Sequence, residues 1–267
     1  MAVAGLIVST ARADIPYFNG LENANDVNAF TNDANNTVAS GITRVASGGG
    51  TYGYTAASGG FYGEIANTHD AYSPGYGDAT YTRFGSSVPT YAGSFYESVA
   101  VYVDLAHWTP PTSPSVPAFW IDASPSDNTT PANEFQDEVN FQISVPNAGT
   151  VTVGANGQSP FATITQSGWY TFKMTFAQGG SGFAENDLSV SDASANQLGT
   201  THHVSTLPNA ELGGNAYGDW TSVWQNGFAG DVIAIDNLQT GAVPEPASLG
   251  VLVIGAAAVL RKRRAIV

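Results

Sequence analysis

The chain has 267 residues, of which 43% are hydrophobic and 11% aromatic, so it can bury a core and lacks the composition of a disordered protein. It carries 22 acidic residues against 8 Lys and Arg, and such an acidic chain is repelled by nucleic acid, which excludes that class of partner. It contains no cysteine, which excludes disulfides, a cysteine nucleophile and a cysteine-based zinc site.

The first residues have the pattern of a secretory signal peptide. The run Met1–Val8 is apolar and is followed by Ala11-Arg12-Ala13, a small-residue triplet of the kind that signal peptidases cut. We expect cleavage after Ala13, between Ala13 and Asp14. Because no basic residues precede the apolar run, we expect residues 1–13 to be a truncated form of the signal.

Alternation of apolar and polar residues predicts β-strands along the body, residues 14–241. In the last of the clear strands, Val232, Ala234, Asp236 and Leu238 are expected on one face, with Ile233, Ile235 and Asn237 on the other. The four segments with the strictest alternation are Ser98–Leu105, Val139–Val145, Trp169–Phe176 and Asp231–Leu238.

Weaker strands and loops complete a body without helical periodicity. The weaker strands are Thr150–Val153, Phe161–Thr165 and Leu188–Val190, and the loops are Ser47–Gly60, Thr109–Pro117 and Asp122–Asn133. Many short strands with frequent turn residues predict an all-β fold, a single antiparallel β-sandwich over residues 14–241.

Two segments resemble jelly-roll carbohydrate-binding modules. They are Phe18-Asn19-Gly20-Leu21-Glu22 near the start and Ile233–Leu238 near the end of the body, while Tyr81–Gly85 with the strand after it is similar to lectin-like (concanavalin) and laminin-G-like sandwiches. The first resemblance implies that Glu22 and Asp236 bind one structural Ca²⁺ together with backbone carbonyls. The alternative is that both carboxylates cap turns or face water.

Aromatic and amide side chains suggest a glycan-binding surface. Sugars stack their C–H faces on flat rings and hydrogen-bond to carboxylates and amides. The strand face of Glu138, Asn140 and Gln142 is polar, and Trp220 and Trp224 lie in a Gly-rich stretch. The alternative for any tryptophan, including Trp108, Trp120 and Trp169, is a place in the sandwich core.

Catalytic patterns are weak. Glu134, Asp137 and Glu138 resemble the carboxylate group of some lectin-like glycosidases, but Asp137 and Glu138 are adjacent and would point to opposite faces of a strand, whereas a retaining pair needs carboxyls about 5–5.5 Å apart. The isolated His107 and the adjacent His202-His203 match no metal or catalytic motif. The prediction is that the chain is not an enzyme, with a glycoside hydrolase as the least favoured alternative.

The C-terminal residues 242–267 have three parts in a fixed order. Val243-Pro244-Glu245-Pro246 is followed by an uncharged run to Leu260 and then by Arg261-Lys262-Arg263-Arg264. A helix over Ala247–Leu260 would be about 21 Å long, shorter than the ~30 Å hydrocarbon core, and its four cations would remain on the cytoplasmic side. An ordinary membrane anchor is the alternative to a processed signal.

This tail resembles the PEP-CTERM sorting signal of bacteria that make exopolysaccharide, a tail also labelled ice-binding protein C-terminal domain. The resemblance implies a precursor anchored in the inner membrane, cleavage by an exosortase near Glu245, and delivery to the cell surface or extracellular matrix. We therefore predict an exported, non-catalytic surface or matrix protein associated with exopolysaccharide. A lectin-like module with a defined glycan is the alternative.

Overall fold

The computed structural model describes residues 17–32, 42–66, 78–82, 94–110, 117–123, 139–155, 157–210, 212, 221–225 and 232–243. Within these ranges a short 3₁₀ helix spans Asp26–Ala29. The strands are β1 Tyr17–Asn19, β2 Phe30–Asn32, β3 Ile42–Ala46, β4 Phe61–Ala66, β5 Asp78–Thr82, β6 Phe95–Val103, β7 Phe119–Ala123, β8 Val139–Asn147, β9 Thr150–Ala155, β10 Ala162–Ile164, β11 Gly168–Gln178, β12 Phe183–Asp192, β13 Gln197–Pro208, β14 Thr221–Gln225 and β15 Val232–Ala242.

The strands form two antiparallel sheets. Sheet A has the order β13-β12-β11-β6-β15-β4-β3, and β1 pairs with β15 beside this path. Sheet B has the order β10-β9-β8-β7-β14-β5-β2. The predicted all-β sandwich is therefore confirmed, whereas the predicted limits at residues 14 and 241 remain predictions.

The core lies between the inner faces of the two sheets. Phe95 and Phe176 of sheet A stack with ring centroids 4.8 Å apart, and Phe172 meets Phe141 of sheet B edge to face at 5.3 Å. In β6 the alternation predicted the inward residues correctly, because Val99, Val101 and Val103 are buried. The strand ends at Val103, so Leu105, predicted inside it, lies in the turn that follows.

The last strand departs from its predicted alternation. Ile233 and Ile235 are in the core as one face, but Leu238, predicted on the opposite face, is in the core as well. The pairing of β15 with β6 shifts register between Asp236 and Gln239, and Asn237 adopts a φ of 49°. This bulge reverses the side-chain alternation after Asp236.

The weaker strands are present with other limits, since β9, β10 and β12 cover parts or extensions of the predicted segments. Ser47–Gly60 is a loop between β3 and β4, as predicted. Asp122, predicted to begin a loop, is instead a buried residue of β7. None of the helices in the described ranges has the length and apolar character needed to cross a membrane.

Candidate functional site

Four carboxylates hold the loop Ser47–Gly60, here called the Gly-rich loop, against the outer face of sheet A. The loop donates hydrogen bonds to them from four separate places, and hydrogen bonds to a charged acceptor are roughly twice as strong as neutral ones. The loop thereby covers the buried rings of Tyr54 and Tyr62, which form a small second core with Val232 and Ala234. The four carboxylates belong to Glu22, Glu64, Asp104 and Asp236.

Glu22 and Asp236, which were predicted to share a site, hold the C-terminal end of the Gly-rich loop. The Glu22 carboxylate accepts the backbone N–H of Gly60 at 3.0 Å and of Phe61 at 3.2 Å. The Asp236 carboxylate accepts the N–H of Ser58 at 3.1 Å and of Asn237 at 2.7 Å. Both carboxylates therefore cap turns by accepting backbone N–H groups, which is the alternative hypothesis given for this pair.

The charges of the two carboxylates also act on each other. Burial, together with the negative charge of Glu22, raises the pKa of Asp236 to about 6 against the lowering effect of its backbone hydrogen bonds. The guanidinium of Arg44 donates to the carbonyl oxygens of Leu21 and Glu22 and not to either carboxylate. A divalent cation would offset the buried charge, so the donor chemistry of the pair fits Ca²⁺.

The backbone beside each carboxylate is in the left-handed region. Leu21 has a φ of 59° immediately before Glu22, and Asn237 has a φ of 49° immediately after Asp236. This conformation is uncommon for a residue other than glycine and costs of order 1–3 kcal/mol where it is held. Surrounding contacts, including the burial of Leu21, hold both positions in place.

Asp104 and His107 form an oriented pair at the other end of the Gly-rich loop. Asp104 follows β6 and its side chain is buried, at 4% exposure, whereas the His107 side chain is 48% exposed. Their contact joins His107 Nδ1 to Asp104 Oδ2 at 2.6 Å, and Tyr54 of the loop donates its hydroxyl to the same oxygen at 2.6 Å. The other oxygen, Oδ1, accepts the N–H of Ala106 and of His107.

The hydrogen bonds around Asp104 fix its protonation. Burial opposes ionisation, but hydrogen bonds from Tyr54 and His107 outweigh it and hold the pKa of Asp104 below its usual value. An ionised carboxylate only accepts hydrogen bonds, so Nδ1 of His107 must carry the proton. In the neutral ring, Nε2 is therefore an acceptor, and it has no hydrogen-bond partner in the part of the chain that the structure describes.

Three half-buried rings extend from this pair along the outer face of sheet A. Tyr52 stacks on the His107 ring at 4.0 Å with an interplanar angle of 12°. Tyr102 stacks on Tyr54 at 4.2 Å, and Trp169 meets Tyr102 edge to face at 5.4 Å. Trp169 also donates its Nε1–H to the carbonyl of Thr55 at 2.6 Å. We call Tyr52, Tyr102 and Trp169 the aromatic shelf.

Neither Asp104 nor the shelf was singled out from sequence, and His107 was dismissed as isolated. The local signal was the spacing Asp104-x-x-His107 directly after a strong strand. This spacing allows an aspartate to cap a turn through backbone N–H groups and to meet the imidazole at the same time. The contribution of Tyr54, fifty residues away in the chain, had no such local signal.

Two of the predicted glycan-binding residues, Asn140 and Gln142, lie on the outer face of sheet B. Strand pairing places Gln142 beside Trp120 and Asn140 beside Asp122, and on the next strand it places Trp224 beside Trp120. Trp120, Asn140 and Gln142 are half-buried and Asp122 is buried. We call Trp120, Asp122, Asn140 and Gln142 the sheet B platform.

The other tryptophans divide between core and surface. Trp108 is buried and meets Phe119 edge to face at 5.4 Å, as the core alternative predicted, whereas Trp169 is half-buried on sheet A. Of the sorting signal, Val243 donates its N–H to Ser94 directly after β15. The following predicted residues lie outside the described ranges: Ala11, Ala13, Glu138, Trp220, Pro244, Glu245, Pro246, Arg261, Lys262, Arg263 and Arg264.

The two adjacent histidines point apart, as expected for a strand. His202 is exposed on β13 and meets the exposed Asp187 at 2.8 Å, while His203 occupies the opposite face. Across the described ranges, no three His, Cys, Asp or Glu side chains are grouped to hold a metal. Within these ranges no third His, Cys, Asp or Glu side chain therefore joins Glu22 and Asp236.

Residues 242–264 match the family described as the PEP-CTERM protein-sorting motif. This match covers the Pro-Glu-Pro element, the apolar run and the basic cluster, and it confirms the resemblance drawn from those residues. The chain is accordingly an exported protein with an exosortase-type sorting tail. No curated protein is similar to this chain in sequence.

Two solved structures of carbohydrate-related proteins are similar to this chain at low identity. The conserved carbohydrate esterase vb_24B_21 from the Shiga toxin-encoding bacteriophage phi24B is similar with a TM-score of 0.50 and 12% identity, over 87% of this chain and 99% of that chain. The endo-beta-1,4-glucuronan lyase from the fungus Trichoderma reesei gives a TM-score of 0.47 and 10% identity, over 86% and 96%. At such identities the likeness concerns the fold alone.

The prediction that the chain is not an enzyme is wrong in the light of the carbohydrate esterase structure. It rested on the absence of familiar catalytic motifs and on the adjacency of Asp137 and Glu138. The same fold occurs in a protein described as a carbohydrate esterase. One fold can carry different activities, depending on the residues at its site. The sandwich fold is therefore compatible with catalysis.

Proposed function

We propose that this exported protein binds a polysaccharide of the cell surface or matrix through the sheet B platform, after an exosortase has processed its tail. The observation that carries the proposal is the strand register that sets Trp120 beside Gln142 and Asp122 beside Asn140. A flat ring with an amide beside it can hold the C–H face and the hydroxyls of one sugar unit. The carbohydrate esterase of similar fold, named above, lends support to this partner class.

The acidic character of the body favours a neutral polymer or one bridged by cations. Before the tail the basic residues of the mature chain are only Arg44, Arg83 and Lys173, whereas every acid except Glu245 precedes the tail. Like charges repel, so a strongly anionic polymer would need divalent cations to approach this surface. Binding of a neutral glycan would depend little on salt.

We also propose that Glu22 and Asp236 hold a structural Ca²⁺ together with backbone carbonyls. The charge coupling of the two carboxylates and the burial of Asp236 support this assignment. Calcium requires six to eight oxygen ligands, so residues besides this pair must contribute. The ion would hold the Gly-rich loop to β15 and would supply no chemistry to the platform.

The platform is tested by glycan binding with two variants of one strand. Gln142→Ala removes the amide beside Trp120, and we expect a roughly tenfold weaker affinity for the host exopolysaccharide, the effect of losing about one good hydrogen bond. The control is Asn147→Ala, an exposed residue at the end of the same strand, which should bind as the wild type does. Equal affinity of the two variants would contradict the proposal.

A glycan array distinguishes the two forms of this function. Sharp selectivity for one sugar would identify a lectin-like module with a defined ligand. Broad weak binding to long polymers would identify a matrix protein that contacts many repeat units. Absence of binding to every glycan and to the host exopolysaccharide would contradict both.

A further inference from the structure

We propose that His107 is the general base of a second site, on the outer face of sheet A, that hydrolyses O-acetyl esters carried by polysaccharide. The geometry that points to it is the pair His107 and Asp104, set against the aromatic shelf. The site lies on the opposite sheet from the platform, and only the choice of polysaccharide as carrier rests on the function proposed above.

The pair has the arrangement that a histidine base requires. The buried Asp104 receives Nδ1 of His107 at 2.6 Å, which fixes the ring orientation and leaves Nε2 as the basic nitrogen. Tyr52 packs on the face of the ring at 4.0 Å and restricts its rotation. Nearly half of the His107 side chain remains exposed, so a reactant can reach it.

The same hydrogen bonds decide which reaction the pair can assist. Both oxygens of Asp104 are engaged, one by Tyr54 and His107 and the other by two backbone N–H groups. Asp104 is therefore not available as the acid or nucleophile of a glycosidase, which in any case needs two carboxylates. Since no serine hydroxyl of the described ranges bonds to His107, the base acts on water.

Ester hydrolysis by this pair is balanced without a cofactor. His107 Nε2 takes one proton from water while the water oxygen attacks the acyl carbon, which gives a tetrahedral intermediate. The bond from that carbon to the sugar oxygen then breaks, and the sugar oxygen takes the proton back from His107. The products are acetic acid and the free sugar hydroxyl, and ionised Asp104 stabilises the imidazolium that forms between the two steps.

The aromatic shelf supplies the remaining parts of the site. Burial raises the pKa of Tyr102, and the charge of Asp104 adds to this effect, so its hydroxyl keeps its proton. That hydroxyl makes no hydrogen bond within the described ranges, although the ring stacks on Tyr54, which shares Asp104. We assign this hydroxyl as the donor to the developing oxyanion. Trp169, beside it, offers a ring on which the sugar can stack.

The experiment uses the full-length chain with phenyl acetate and with O-acetylated xylan, and measures acetate release. His107→Gln should lower kcat/KM roughly 100-fold or more, the usual contribution of a general base. The matched control is His202→Gln, an exposed histidine of the same sheet that also contacts an aspartate, and it should keep the wild-type rate. Thermal melting of each variant confirms that it is folded.

Asp104 is a positioning residue, and its test separates kcat from KM. Asp104→Asn should lower kcat roughly 100-fold or more and leave KM little changed, because the amide no longer holds the proton on Nδ1 of His107 and the ring can present the wrong nitrogen to water. A merely structural role would lower the amount of folded protein without lowering kcat per folded molecule.

The outcomes separate this site from the platform. Hydrolysis of phenyl acetate does not need the platform. If His107→Gln loses this hydrolysis but still binds polysaccharide as the wild type does, the result supports the second site independently of the platform. No acetate release from either ester by the wild type would overturn the proposal. Equal rates for the His107 and His202 variants, or unsaturated sugar products in place of acetate, would overturn it as well.

Discussion

Tyr54 donates its hydroxyl to Asp104 over 2.6 Å and so ties the Gly-rich loop to the end of β6. The same carboxylate oxygen contacts His107. One hydrogen bond therefore joins the loop that covers sheet A to the pair that we propose as a catalytic site. The stability of the loop and the activity of the pair should respond together to changes at this point.

Tyr54→Phe should destabilise the protein by about 2 kcal/mol, because a buried hydrogen bond to a charged acceptor contributes about 1.5–3 kcal/mol. The midpoint of denaturant unfolding measures this change. Tyr96→Phe is the control, since the Tyr96 hydroxyl makes no hydrogen bond within the described ranges. A Tyr54 variant as stable as the control would show that the loop is held by other contacts.

Gly59→Ala should destabilise the protein more than Gly48→Ala. Both glycines have a positive φ, 62° and 80°, so both substitutions incur a similar backbone strain of about 1–2 kcal/mol. A Cβ on Gly59 would also collide with the carboxylate of Glu22, whereas one on Gly48 meets nothing. Unfolding midpoints compare the two variants, and an equal loss would mean that the Glu22 contact contributes little.

Removal of Ca²⁺ should lower the melting temperature by several degrees if Glu22 and Asp236 hold the ion. Addition of Ca²⁺ after chelation should restore it, because a ligand that binds only the folded state stabilises that state. Asp236→Asn should abolish the response, and Asp187→Asn, at an exposed carboxylate, should leave it intact. A wild-type melting temperature that the chelator leaves unchanged would contradict the calcium site.

The pH dependence without calcium follows from Asp236. Its pKa is raised from 3.8 to about 6 in the folded protein, so the folded state binds this proton more tightly than the unfolded chain. The associated stability is present below pH 3.8 and is lost as pH rises through about 6. With a chelator present, the free energy of unfolding of the wild type should fall relative to that of Asp236→Asn as the pH rises from 3.8 to about 6. If the free energy of unfolding of the wild type stayed constant or rose with pH relative to that of Asp236→Asn, the burial of this carboxylate would be contradicted.

The sandwich was predictable because its inner faces follow a simple rule. Val99, Val101 and Val103 alternate with polar or small residues, and period two identifies a half-buried strand without knowledge of its neighbours. The position of Leu238 was not predictable in the same way. Its face depends on the bulge at Asn237. Asparagine adopts a positive φ more readily than most residues, but an asparagine in a strand does not by itself mark a bulge.

How far each site could be predicted from the sequence depended on how many of its contacts join residues far apart in the chain. The pair of Glu22 and Asp236 was proposed only through a resemblance, since the two residues are at opposite ends of the body and alternation says nothing about their separation. The relation of Gln142 to Trp120 required the strand order, which the sequence did not specify. Asp104 and His107 are close in the chain, but the part played by Tyr54 appears only once the Gly-rich loop is folded over sheet A.

The sorting tail should act without contributing to the stability of the body. Glu245→Ala, or deletion of residues 261–264, should leave the precursor in the membrane fraction with an unchanged melting temperature. Immunodetection in membrane, surface and medium fractions measures this. Delivery of both variants to the surface in wild-type amounts would contradict a sorting role for these residues.

We expect the tail to deliver this sandwich to the cell surface and to be removed on the way. Mass spectrometry of the C-terminal peptide of the surface-retained protein shows whether this removal occurs. We expect a C-terminus near Glu245, with the apolar run and residues 261–264 absent. Surface protein that is intact through Val267 would show that the tail is not removed.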